Sequence, residues 1–145
     1  MNILNIHENT TLRANKYEDR RITVLVIEPG KEPYTKNISP KLKSLQAEVG
    51  GLIQVIYPFD DSVALICNEE AKLLNMPLNR ALYDQYENIY DIIAGAFILT
   101  GLSSDSFSSL TKEQIEKYRN RFISPEHFVL LDGKINALPI KNSFK

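Results

Sequence analysis

Short apolar runs alternate along the chain with segments rich in proline, glycine, asparagine and serine. Five of these runs are rich in β-branched or aromatic residues and lead into turn-forming residues, which predicts strands at 22–27, 34–38, 52–57, 63–67 and 128–131. The segment 89–102 is the most apolar of all. It is predicted to be one long buried strand in the middle of the sheet, with Gly95 permitting a bulge.

Two other segments combine a helix start signal with apolar residues spaced three and four apart. A Ser-Pro pair opens the first helix, predicted at about 40–49, because serine caps free amides and proline is tolerated in the first turn. Thr111 and Gln114 form a capping box that opens the second helix, predicted at about 112–122. Both helices are expected to lay one apolar face on the sheet.

The stretch after the strand at 63–67 predicts a short helix near 69–74. Asn68 is expected to cap its start, and Asn75 to close it in a left-handed conformation just before a proline. A constrained polar loop is predicted at 77–80, followed by a connection at 81–88 that lies over the same surface.

These elements predict an α+β fold with one domain. Its mixed, largely antiparallel sheet of about five strands is covered on one face by the two main helices. Residues 1–21 are predicted to be an N-terminal appendage with a short strand at 3–6, and 22–131 the domain. Asp132-Gly133 is predicted to be a turn into a C-terminal tail at 132–145.

Charge and composition narrow the class of protein. Seventeen basic and eighteen acidic residues give a net charge of −1, which argues against a nucleic-acid-binding protein. Cys67 is the single cysteine, so it has no partner for an internal disulfide, which fits a reducing compartment. No apolar run reaches the roughly 20 residues that span a bilayer, and the opening residues lack a signal-peptide pattern. We therefore expect a cytoplasmic protein that has no contact with membranes.

An ordered set of short motifs resembles an uncharacterised family. The motifs are Val26-Ile27-Glu28-Pro29-Gly30-Lys31, Leu45-Gln46 with Val49-Gly50-Gly51, Asn68-Glu69-Glu70-Ala71-Lys72, Leu78-Asn79-Arg80 and Ile93-Ala94-Gly95. Together they resemble the domain of unknown function 3846, carried by phages and conjugative elements of Gram-positive bacteria, although Ala71 stands where relatives usually have glycine. The resemblance implies no established activity. It implies an accessory protein of a mobile element, in a gene neighbourhood where proteins that blunt host defence are common.

Four polar residues form the candidate ligand-binding site: Asn68, Glu69, Asn79 and Arg80. If the loop at 77–80 folds back over the short helix, free amides, two side-chain amides and a guanidinium converge on one anionic or nucleotide-like ligand. The alternative is structural. In that interpretation Arg80 pairs with Glu69, Glu70 or Asp84, and Asn79 tightens a turn.

No catalytic or metal-binding pattern is found in the sequence. Asp60 and Asp61 are adjacent in a turn without a third ligand, and Cys67 has only His7 and His127 as candidate bases, neither nearby in sequence. We therefore expect a non-enzymatic accessory binding protein without cofactor or metal, which antagonises host defence by binding a nucleotide-like signal or a defence protein. The alternatives are a purely protein-interacting module, using the acidic middle of the chain or an exposed sheet edge, and an enzyme of unrecognised type. A homo-oligomer is compatible with each of these.

Overall fold

The computed structural model describes residues 20–140. Their strands are β1 (Ile22–Ile27), β2 (Tyr34–Ile38), β3 (Ile53–Ile56), β4 (Val63–Asn68), β5 (Leu78–Tyr83), β6 (Ile89–Ala94), β7 (Phe97–Leu102), β8 (Phe107–Ser108), β9 (Glu126–Leu131) and β10 (Lys134–Pro139). Their helices are α1 (Leu42–Val49) and α2 (Lys112–Arg121). The predictions made for residues 1–19, including His7 and the strand at 3–6, and for 141–145 lie outside the described residues.

The main sheet has the strand order β2-β1-β7-β4-β3, with β8 also paired to β7. All its pairings are antiparallel, and β7 occupies the centre. The register places Leu25, Leu99 and Leu65 in one row across the three inner strands. The predicted α+β class, with a largely antiparallel sheet and two main helices, is confirmed.

The two helices lie on opposite faces of this sheet. Leu45 and Val49 of α1 pack on the face that carries Ile66 and Ile98. Tyr118 of α2 belongs to the other core cluster, which contains Leu99 of β7 and also Leu82 and Ile93 of the β5–β6 hairpin. The prediction that both helices cover one face is therefore wrong. Because the inner strands carry apolar side chains on both faces of the sheet, both faces must be shielded from water, and each helix shields one of them.

The predicted long strand at 89–102 is interrupted at Gly95, which has a φ of 73°. Its amide donates to the Pro77 carbonyl at 2.7 Å. A Cβ at this position would lie 2.9 Å from the Met76 sulfur, so the chain turns tightly against its neighbour here. The result is two strands with different partners, β6 in a hairpin with β5 and β7 in the main sheet.

The short helix predicted near 69–74 is a series of turns. Its predicted ends are correct: the Asn68 side chain accepts from the Glu70 amide at 2.8 Å, and Asn75 has a left-handed φ of 55°. Between them only the Leu74 amide reaches a carbonyl four residues back, that of Glu70, at 2.9 Å. So short a segment does not propagate an α-helix.

Two hairpins stand outside the main sheet, and both differ from the prediction. The residues expected in the loop at 77–80 belong largely to β5, which pairs with β6. The expected turn at Asp132-Gly133 is present, but residues 134–139, assigned to the tail, form β10 and pair with β9. None of the helices in the described part of the chain is long and apolar enough to cross a membrane.

Candidate functional site

Asn79 lies in β5 and is buried by the main sheet. Its side-chain amide donates to the carbonyl of Ile27 at 2.9 Å and to that of Gly95 at 2.8 Å. These two acceptors belong to the end of β1 and to the turn between β6 and β7. Asn79 therefore joins the β5–β6 hairpin to the main sheet, and its donors are used inside the protein.

Arg80 is only 1% exposed and donates to carbonyl groups. Its Nε and Nη2 reach the Phe122 carbonyl at 3.1 and 2.9 Å, and Nη2 also reaches the Lys31 carbonyl at 2.6 Å. Nη1 donates to the Asn79 Oδ1 at 2.7 Å. Phe122 follows α2 directly, so the guanidinium lies at the negative end of that helix.

Burial lowers the pKa of Arg80, and the nearby Glu126 carboxylate opposes that shift. Arg80 forms no ion pair with Glu69, Glu70 or Asp84, all of which lie in the described part of the chain. The structural alternative was thus right that Arg80 serves the fold and wrong about its partners, which are main-chain carbonyls.

Asn68 and Glu69 lie elsewhere, at the end of β4. The Asn68 Nδ2 donates to the Val49 carbonyl at 3.1 Å, and its Oδ1 caps the Glu70 amide. Asn68 and Glu69 line a depression of about 110 Å³, whereas Arg80 lines a different one of about 120 Å³. The structure brings Asn68 next to Glu69, and Asn79 next to Arg80, but it does not gather the four side chains around one cavity.

Cys67 and Asp61, two further groups considered for chemistry, are also held within the fold. Burial raises the pKa of the Cys67 thiol to about 11, which disfavours the reactive thiolate. Asp61 accepts from the Tyr118 hydroxyl at 2.9 Å and from Gln114 Nε2 at 3.1 Å, so it ties the turn before β4 to α2. Within residues 20–140 no cluster of three or more His, Cys, Asp or Glu side chains could hold a metal ion.

A groove of about 870 Å³, much larger than the two depressions above, lies between the β5–β6 and β9–β10 hairpins; we call it the hairpin groove. Its lining is mixed, and consists of Lys72, Leu78, Tyr83, Glu87, Asn88, Ile89, Tyr90, Asp91, Ile92, Lys134, Ile135, Asn136 and Ala137. Sequence reasoning missed the groove because one wall is β10, which was assigned to the tail. The sequence does contain a pattern that could have predicted this hairpin. Asp132-Gly133 stands between two runs that contain apolar residues, which is typical of a β-hairpin.

Polar contacts hold the edges of the β5–β6 hairpin near the groove. Lys72 Nζ pairs with Asp91 Oδ1 at 2.8 Å, and that oxygen also accepts from the Ile92 amide at 2.8 Å. On the other strand, the Ala81 amide donates to Glu126 Oε1 at 2.9 Å. Side-chain carboxylates therefore satisfy main-chain donors on both strands of this hairpin.

Comparison with known proteins gives one finding. Neither the curated proteins nor the solved structures include a match to this chain. The family described as a domain of unknown function, DUF3846, matches residues 22–123, from β1 to just beyond α2. The resemblance inferred from the short motifs is confirmed, and because the match covers well over half of its length, the chain belongs to the DUF3846 family.

Proposed function

We propose that this protein is a non-enzymatic binding protein that acts by contacting another protein. The contact surface we propose is the hairpin groove together with the apolar side chains exposed on the two hairpins beside it. This proposal follows the protein-interaction alternative raised by the sequence. It replaces the small-ligand receptacle, because Asn68, Asn79 and Arg80 are bonded within the fold and the four expected side chains do not share one cavity.

The observation that carries the proposal is the exposure of large apolar side chains in and beside the two hairpins that form the hairpin groove. Leu130 is 71% exposed, and Ile135 and Tyr90 are 53% and 52% exposed. Further exposed apolar residues in the two hairpins and in the turns before β5 are Leu73, Leu74, Leu78, Tyr86, Leu131 and Leu138. Leu130 lies opposite Ile135 in the β9–β10 pairing, so these two exposed side chains share one face of that hairpin. Large exposed apolar patches mark protein interaction sites.

The partner we propose is a host defence protein, and the setting is a phage or another mobile element. This part of the proposal is supported by the family resemblance alone. It predicts that expression of the protein in a host cell raises the plating efficiency of a phage that the host otherwise restricts. The Ile135→Lys variant is expected to lose that effect, because it replaces an apolar side chain that lines the groove with a charged one.

Site-directed photo-crosslinking in host cells tests the contact surface. A photoreactive residue replaces Leu130 in one protein and Tyr57 in another; Tyr57 is similarly exposed but lies beside β3, outside the groove. We expect a specific protein adduct from position 130 and none from position 57. The adduct should disappear when Ile135→Lys is added and persist when Tyr57→Lys is added instead.

Equal adducts from both positions, or an adduct that survives Ile135→Lys, would refute this surface. A parallel thermal-shift screen addresses the small-ligand alternative. A nucleotide at 100 times its dissociation constant adds about 2.7 kcal/mol to the unfolding free energy. A nucleotide that raises the melting temperature of the wild-type protein would favour the nucleotide-like signal over a protein partner.

A further inference from the structure

We infer that the hairpin groove takes an extended segment of the partner polypeptide, which adds to the free edge of β10 by main-chain hydrogen bonds. This inference rests on the proposed function and specifies how the partner binds. Four consecutive residues of β10 line the groove, from Lys134 to Ala137, and so do four of β6, from Ile89 to Ile92. Since consecutive residues of a strand point to opposite faces, the groove runs along the edges of these strands.

The turn of the β9–β10 hairpin determines which amides of β10 face outward. Asp132 and Gly133 have φ values of 50° and 76°, the two positive angles of a type I′ turn, and Leu131 lies opposite Lys134. The pair that flanks such a turn is hydrogen-bonded, and bonded and non-bonded pairs then alternate. The amides of Ile135 and Ala137 therefore point away from β9.

One outward amide on each edge of the neighbouring β5–β6 hairpin is already bonded to a carboxylate, whereas this part of β10 is open. Ala81 and Ile92 lie opposite each other, and each donates its amide to a carboxylate, that of Glu126 and that of Asp91. Among residues 20–140, no side chain or loop bonds the outward amides of Ile135 and Ala137. An unpaired edge of this kind is a template for strand addition.

The charges on the groove lining define the segment further. Lys72 and Asp91 neutralise each other, but Glu87 and Lys134 are exposed and have no ion-pair partner in the described part of the chain. Tyr90 and Ile135 also line the groove and offer apolar surface to the bound segment. The segment that fits is an extended strand of about four or five residues, apolar in the middle, with an acidic side chain for Lys134 and a basic one for Glu87.

Peptide selection tests this inference directly. The probe is a displayed library of random peptides of about nine residues, selected on the immobilised full-length protein. Enriched peptides are synthesised and titrated against the wild-type protein, Ala137→Pro and Ala137→Ser. Ala137→Pro removes one outward amide that β9 does not use, as Pro139 already does two residues later. We expect binding about tenfold weaker to Ala137→Pro and nearly unchanged binding to Ala137→Ser.

A second measurement does not depend on how the variant folds. Each backbone nitrogen of an enriched peptide is methylated in turn, and binding to the wild-type protein is measured. Strand addition predicts that alternate positions lose binding while the intervening ones tolerate the methyl group, because alternate amides of an added strand face β10.

The inference is overturned if no peptide is enriched, or if binding shows no alternation under methylation and no loss with Ala137→Pro. The crosslinking experiment tests the proposed function separately. If the cellular adduct from position 130 still requires Ile135, the groove contacts a protein by side chains and only strand addition fails. If that adduct is absent as well, both proposals fail.

Discussion

At the scale of single residues, the polar side chains most suggestive of ligand binding serve the fold. Arg80 joins three parts of the chain, because its guanidinium reaches Phe122 after α2, Lys31 after β1 and its neighbour Asn79. A buried charge is costly unless its donors are satisfied, and main-chain carbonyls satisfy them here. Its acceptors in Phe122 and Lys31 lie 42 and 49 positions away in the chain, so no local pattern indicated its burial.

Replacing Arg80 with alanine is expected to lower the unfolding free energy by about 3 kcal/mol, since it leaves buried carbonyls without donors and creates a cavity. The matched control is Arg119→Ala, an exposed arginine in the last turn of α2, with an expected change within about 0.5 kcal/mol. Urea denaturation of both variants measures the two changes. An equal decrease in the unfolding free energy of both variants would show that the buried hydrogen bonds of Arg80 do not stabilise the fold.

Asp61 predicts a pH dependence of stability. The Tyr118 hydroxyl lowers the pKa of Asp61, assisted by Gln114, the Ser62 amide and Lys117 against some desolvation. A carboxyl whose folded pKa is depressed stabilises the protein above its unfolded pKa of about 3.9, and that stabilisation is lost as the pH falls towards the folded pKa. Wild-type stability should therefore fall between about pH 5 and pH 3 more steeply than that of Asp61→Asn.

Urea denaturation at several pH values gives this comparison, and Asp60→Asn is its control. Asp60 is the exposed neighbour and makes none of these contacts, so its variant should follow the wild-type pH profile. A profile of Asp61→Asn that parallels the wild type would mean that the contact with Tyr118 does not distinguish the two protonation states.

At the scale of elements, local sequence patterns predicted where strands and helices occur. Contacts between different elements determined where some of them end. The capping box of Thr111 and Gln114 is formed at 3.0 and 3.1 Å, because both partners lie in one turn. The apolar run at 89–102 gave no local sign of its division. Gly95 was expected to allow a bulge, but its left-handed conformation and the Met76 side chain against it create a turn.

Substitution of Gly95 by alanine tests this division. Alanine at a φ of 73° costs about 1 kcal/mol in backbone strain, and its Cβ also meets the Met76 sulfur. Gly30→Ala is the matched control: Gly30 has a φ of 76°, but nothing lies within 4 Å of an added Cβ. Gly95→Ala should therefore lower the melting temperature more than Gly30→Ala. Equal shifts would assign the whole effect to backbone strain.

At the scale of the whole molecule, the main sheet and the two hairpins differ in how they are stabilised. The sheet is covered on both faces, and its inner strands β1, β4 and β7 are almost entirely buried. The β9–β10 hairpin has two strands and many exposed apolar side chains. A two-stranded hairpin is marginal by itself, so this element depends on packing against β5 and, under our proposal, on a partner.

Hydrogen exchange should show this difference in stability. Amides of β4 and β7 are expected to exchange only on global unfolding, and the bonded amides of β10 through local opening, faster by about 100-fold or more. Addition of a peptide enriched in the selection should slow exchange in β10 and leave β4 unchanged. Uniform protection across β4 and β10 would contradict a separately stable hairpin.

The sequence by itself determined the α+β class, the inner strands, both helices, the turn at Asp132-Gly133 and the family, because these depend on periodicity, caps and turns within a few residues. Tertiary structure decided which face each helix covers, where the strand at 89–102 divides, and that Asn79 and Arg80 are buried. It also decided that the hairpins enclose a groove. These features depend on contacts between residues far apart in the chain, which no local pattern encodes.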